Sequence, residues 1–228
     1  MNDFLSALSG LPSSTLLIAL IAASSLLVIL SDWRLLNLIL GAEYLLIGGF
    51  LFVSRIEGIP AELAIVKALV GIMTLPVLYI SSRRARWGKN PDDEDVEQTK
   101  SPARRLEWLS APGLALRGTV ALLGAAVALS VALRNPIQFT ASQSTSRDIT
   151  IATFVLIAQG LLNVALNENP LKVGLGLLTV LAGFELFYTV VEPTLLVVGL
   201  LGVVNLVIAL ALSYLITAWA ARPRKALR

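Results

Sequence analysis

Seven stretches of the chain are almost free of charge, and the polar residues gather in the intervals between them. The runs fall at about 14–31, 35–54, 61–81, 112–133, 148–166, 170–190 and 193–217. Each approaches the roughly 20 apolar residues that carry a helix across a bilayer. They predict an all-α polytopic membrane protein of about seven transmembrane helices. The longest polar interval, "SSRRARWGKNPDDEDVEQTKSPARRLEW" at 81–108, is charged in both signs and carries two prolines. It reads as a solvent-exposed linker. On this pattern the chain divides into a first three-helix unit over 1–82, a charged linker over 83–110, a connecting helix over 111–135, and a second three-helix unit over 148–228 with a basic tail.

The placement of charge orients the bundle. With the N-terminus outside, Arg34, Arg83, Arg84, Arg86, Lys89, Lys100, Arg104, Arg105, Lys172, Arg222, Arg224, Lys225 and Arg228 all fall inside. Arg55, Arg134 and Arg147 are left for the outer loops. Basic residues accumulate on the cytoplasmic side of membrane proteins. The expectation is therefore N-terminus out and C-terminus in, in the cell (inner) membrane of a bacterium or archaeon. The opening "MNDFLSALSG" has no basic leader, so the first apolar run reads as a retained helix.

Composition agrees with this and narrows the chemistry. Of 228 residues, 56% are hydrophobic and 14% charged, with a formal net charge of +3. There are no cysteines and no histidines, which removes disulfides, thiolate-held iron–sulfur clusters, the usual zinc sites and bis-histidine haem. No catalytic constellation and no phosphate-cradling loop is visible. No cofactor is expected. The basic residues follow topology, so nucleic acid is not an expected partner either.

Against this apolar background a few residues stand out. Glu43 lies near the middle of "LLNLILGAEYLLIGGFL", and Glu185 lies within "GLLTVLAGFELF". A charge in hydrocarbon costs several kcal/mol at least, so such residues usually face a partner or an ion path. Both follow glycine at i−2, Gly41 and Gly183, where a missing side chain lets a neighbouring helix approach. Lys67 lies six residues after Ala61, about 9 Å along its helix. It is placed to snorkel, to pair with a carboxylate or to carry charge itself. Glu43, Lys67 and Glu185 are the candidate proton or ion relay. The polar positions Asn37, Gln159, Asn163, Thr179, Tyr188 and Asn205 either extend a wetted path or serve as single interhelical hydrogen bonds. Glu57, Glu62, Glu168 and Glu192 sit at span ends and read as interfacial.

The Gly-x-Glu element occurs twice, and the following spans also pair when four fewer residues separate them. "AIVKALVGIMTLPVLYI" then lies against "GVVNLVIALALSYLI", with Lys67 opposite Asn205. The first and second three-helix units read as parallel repeats, with the extra fourth helix permitting that arrangement.

Residues 34–50 resemble the second helix of the small K (4L) subunit of complex I. That family shows Asn-Leu-Leu, an apolar run and Gly-x-Glu, and "RLLNLILGAEY" is similar. The resemblance places the family's functional glutamate on Glu43. The third span is also similar, although Lys67 stands where the family has a second buried glutamate. In length, and in the run "KALVGIMTLP" from Lys67 to Pro76, the chain resembles the longer E component of group 4, formate-hydrogenlyase-type membrane hydrogenases.

The resemblance implies a membrane-arm subunit between antiporter-like subunits and the quinone- or hydrogenase-proximal module. It would help carry protons or sodium ions while electrons travel through other subunits. Glu43 and Glu185 would then need neighbours in those partners. Multisubunit cation/proton antiporters use the same building block. A self-sufficient small transporter and a purely structural scaffold also stay open. A small transporter would be expected to show helices broken at mid-membrane in both halves.

Overall fold

The computed structural model describes residues 13–30, 32–53, 61–87, 111–135 and 143–220. Among these residues the chain forms seven helices. They are α1 Ser13–Ile29, α2 Trp33–Val53, α3 Ala61–Trp87, α4 Ala111–Arg134, α5 Gln143–Leu166, α6 Pro170–Val191 and α7 Leu195–Ala220. Six are long and apolar enough to cross a membrane, and the shorter α1 is apolar as well. This is a multi-pass, all-α membrane protein. Helix is what such sequences must form in lipid, where every backbone polar group needs a partner within its own segment.

Short punctuation between the helices sets the hairpins. Asp32 Oδ1 accepts from Arg34 N–H at 3.0 Å ahead of α2. Asn169 caps α6 by accepting from Leu171 N–H at 3.0 Å, with Pro170 in the first turn. Side-chain capping satisfies a backbone donor that the helix itself leaves open, and proline is tolerated there because it has no N–H. At the far end of α6, Glu192 N–H returns to Tyr188 O before Pro193, and three residues later α7 begins.

Two helix ends differ from the expectation, both for the same reason. α3 continues through Trp87, into the stretch read as linker, and α5 begins at Gln143 rather than near 148. Bilayer thickness bounds the apolar run, not the helix. Polar residues without Gly or Pro carry the hydrogen-bond ladder on into water. α3 also stays helical through Pro76, so no broken helix marks mid-membrane there. Arg55 and Glu57, together with most of the expected linker and the basic tail, lie outside the described residues.

Within the first unit α1 packs on α2 and α2 on α3. Within the second, α5 packs on α6 and α6 on α7. Between the units α1 meets α5, α2 meets α6 and α3 meets α7, so each helix lies beside the one that the sequence repeat pairs with it. Ser13 on α1 donates to Asp148 on α5 at 2.8 Å across this seam. α4 lies to the side, against α5 and α1, and most of its surface faces outward. A single apolar core runs through both units, with Leu20, Leu27, Ile47, Phe50, Leu156 and Leu178 fully enclosed. Large apolar side chains such as Leu122 and Leu196 point outward, as expected where the surrounding medium is lipid.

Close helix approach in the second unit rests on a glycine pair. A Cβ on Gly176 would stand 2.8 Å from Gly160 O, and one on Gly160 would stand 2.7 Å from Gly176 O. The α5 and α6 backbones therefore touch, the contact that small residues allow between membrane helices. The Gly183 position is similar, with Leu156 Cβ 2.9 Å away on α5.

Candidate functional site

Four helices bring polar side chains to the seam between the units. α2 contributes Glu43 and Tyr44, α3 contributes Lys67, α6 contributes Thr179 and Glu185, and α7 contributes Asn205. All six are buried. Lys67 is six residues from the start of α3 and Glu185 six from the end of α6, so each lies about 9 Å from its helix end. Glu43 is about 15 Å from either end of α2, one turn or so deeper.

The contacts form a connected set. Lys67 Nζ is ion-paired with Glu185 Oε2. Asn205 Nδ2 donates to both oxygens of the same carboxylate, at 3.0 and 3.2 Å. Tyr44 Oη donates to Asn205 Oδ1 at 3.0 Å, which uses both ends of the amide in one orientation. The Lys67 ammonium also lies 5.2 Å from the centroid of the Tyr44 ring, within range of a cation–π contact. Thr179 Oγ1 donates to Glu43 Oε2 at 3.2 Å. The other oxygen of Glu43 is buried and has no hydrogen-bond partner among the described residues. Lys67 lies within electrostatic reach of Glu43 as well, so one cation faces two carboxylates.

The ion pair and all of these hydrogen bonds cross between the units or lie within the second, whereas the approach of Lys67 to Tyr44 and Glu43 lies within the first. Glu185 therefore finds its partners inside the chain, contrary to the expectation that it needs a neighbouring subunit. Glu43 also takes its hydrogen bond from α6 of the same chain. Nor do Gly41 and Gly183 open room for the helices that the two carboxylates meet, contrary to the expectation. Positions i−2 and i stand about 200° apart around a helix, so the glycine and the carboxylate serve different neighbours. The Gly41 position is filled by the Leu75 side chain on α3, while Glu43 reaches α6. Gly183 abuts α5, while Glu185 reaches α3 and α7.

The remaining polar candidates separate by role. Asn37 Nδ2 donates to Trp33 O at 2.9 Å and to Ser82 Oγ at 3.5 Å, which ties α2 to α3 nearer the basic end. Gln159 Nε2 donates to Ala121 O at 2.8 Å and to Ser25 Oγ at 3.3 Å. It fastens α5 to α4 and α1 and stands apart from the charged cluster. Asn163 Oδ1 accepts from Asn167, just past the end of α5, at 2.9 Å. Tyr188 is half-buried and stacks on Phe184. Glu62, Glu168 and Glu192 are exposed at helix ends. Lys172, counted among the inner-side cations, is buried in the first turn of α6 at 4% exposure.

Tyr44 is the member that the sequence pattern does not single out. Its signal is adjacency to Glu43 together with a phenol that needs a hydrogen-bond partner when buried. Gly71 on α3 makes room for it, since a Cβ there would run into the Tyr44 side chain.

The chain matches no protein-family model, and neither the curated proteins nor the solved structures yield a significant match.

Proposed function

We propose that the chain is an ion-translocating membrane subunit in which Lys67, Glu43 and Glu185 pass charge across the seam between its two units. The observation that carries this reading is the buried cluster itself, an ammonium and two carboxylates held far from water by four helices. Ionisable groups inside a membrane are retained mainly where they move or hold ions. Glu43 keeps one oxygen open while sharing Lys67 with Glu185. Protonation of Glu185 would loosen its hold on Lys67 and leave the ammonium free to turn toward Glu43. Proton arrival at one carboxylate is thereby linked to charge at the other. Tyr44, Asn205 and Thr179 hold the geometry in which that exchange is short.

The resemblance of residues 34–50 to subunit K extends the proposal to a setting. In it the chain is a membrane-arm subunit of a complex I-like or group 4 hydrogenase-like assembly, beside antiporter-like subunits and a quinone- or hydrogenase-proximal module. Protons or sodium ions move through it while redox chemistry proceeds elsewhere. A second reading, an ion-coupled transporter that works alone, is favoured by one observation: Glu185 is satisfied within the chain. Against it stands the unbroken α3, helical through Pro76.

Tagged purification in mild detergent with mass spectrometry of the co-purifying chains separates these readings. Antiporter-like subunits with iron–sulfur or hydrogenase subunits support the redox-linked assembly. Antiporter-like subunits alone point to a cation/proton antiporter. A monodisperse single chain overturns the assembly reading, and ion flux into liposomes then tests the transporter.

A further inference from the structure

At the basic end of the bundle, away from the charged cluster, a groove of about 400 Å³ runs between α3 and α7. Val77, Ile80 and Leu210 give it an apolar stretch. Ser81, Ser213 and Thr217 line it with hydroxyls, Ser81 being buried, and Arg84 and Tyr214 complete the lining. No acidic residue lines it. Arg84 is exposed, and Tyr214 is 73% exposed. The exposed Trp219 follows on α7, and Trp33 and Tyr79 are in ring contact nearby on α2 and α3. Aromatic residues of this kind mark the headgroup level of a bilayer. An apolar trough topped by a cation at that level has the division of a phospholipid.

The hydroxyls sharpen the chemistry. Thr217 Oγ1 donates to Ser213 O at 3.1 Å and to Tyr214 O at 2.9 Å. Ser81 donates to Val77 O and is hydrogen-bonded to Ser213. These protons are thus committed to helix carbonyls and to one another, which leaves the hydroxyls that line the groove with acceptor capacity only. Arg84 supplies donors for a phosphodiester, and the hydroxyl oxygens supply acceptors for a headgroup that has donors of its own.

We propose that the α3–α7 groove binds a phospholipid of the basic-side leaflet, with its phosphate on Arg84 and a donor-bearing headgroup, ethanolamine or glycerol, on the oxygens of Ser81, Ser213 and Thr217. The acyl chain lies along Val77, Ile80 and Leu210. The site is independent of the ion relay and stands whether or not that reading does.

The test is native mass spectrometry of the full chain from mixed micelles. These hold equimolar phosphatidylethanolamine and phosphatidylcholine with matched acyl chains, and phosphatidylglycerol replaces the former in a parallel series. Phosphatidylethanolamine should be retained about tenfold more than phosphatidylcholine, whose headgroup has no donor, the size of a lost charge-assisted hydrogen bond, and phosphatidylglycerol, whose hydroxyls are neutral donors, about threefold more. Arg84→Gln, at an exposed position, should lower retention of all three lipids. Ser81→Ala with Ser213→Ala should keep binding but erase the preference, and Thr217→Val should do so in part without disturbing the interhelical pair. Equal retention of phosphatidylcholine, or no effect of Arg84→Gln, overturns the proposal. Displacement of the lipid by inorganic phosphate at millimolar concentration overturns the lipid source and leaves a free-phosphate site.

Discussion

Glu185 is held by an ammonium and by both contacts of one amide, whereas Glu43 accepts from a single hydroxyl. This difference makes the two carboxylates unequal although each sits in a Gly-x-Glu stretch. Removing Lys67 leaves Glu185 buried with a neutral partner only. Lys67→Met should therefore destabilise the chain by about 3–5 kcal/mol, the range for breaking a buried pair. Lys67→Met with Glu185→Leu should recover most of that loss, because an apolar replacement of a whole buried pair is often near neutral. Unfolding by SDS titration in mixed micelles measures both, and a double variant no better than the single would show that the pair is not coupled. Tyr44 offers a finer probe. Tyr44→Phe removes one hydrogen bond and should cost about 1 kcal/mol. Gly71→Ala, which moves the whole ring, should cost about 1–3 kcal/mol. The same titration ranks them, and Gly71→Ala falling below Tyr44→Phe would contradict the packing described.

The helices themselves were legible because lipid imposes a length and an apolar composition that a sequence shows directly. Their ends were less so. α3 runs on to Trp87 and α5 starts at Gln143 because helix continues wherever no Gly or Pro stops it, apolar or not. Charged residues in apolar runs, Glu43, Lys67 and Glu185, stand out for the same reason that the runs do. Which helix each one faces does not follow from spacing, since Gly41 and Glu43 look to different neighbours. A hydroxyl such as Tyr44 or Ser81 is also too common in apolar helices to announce itself. The helix contacts make their own prediction. Gly176→Ala would press a methyl against Gly160 O and should cost about 1–3 kcal/mol. Gly199→Ala, which meets nothing within 4 Å, should be neutral or stabilise by up to about 1 kcal/mol from helix propensity. Thermal unfolding of the two variants in detergent compares them, and equal losses would mean that the α5–α6 approach is not as close as drawn.

Taken whole, the molecule places Glu43, Lys67 and Glu185 at the seam between two three-helix units. A change in how the units sit against one another would alter the Lys67–Glu185 pair and the Glu43–Thr179 bond together. That coupling is what the proposed relay requires, and it also explains why isolated helices would not suffice. α4 adds little to the seam and presents most of its surface outward, toward lipid or another subunit.

The most direct measurement is ion flux through the assembled protein carrying Glu43→Gln, a change that keeps shape and removes the exchangeable charge. We expect flux to fall about tenfold or more, the loss when a positioned proton carrier is removed, with chain abundance and co-purifying subunits unchanged. Flux equal to that of the unaltered protein would show that Glu43 is a structural residue and that the buried cluster does not carry ions.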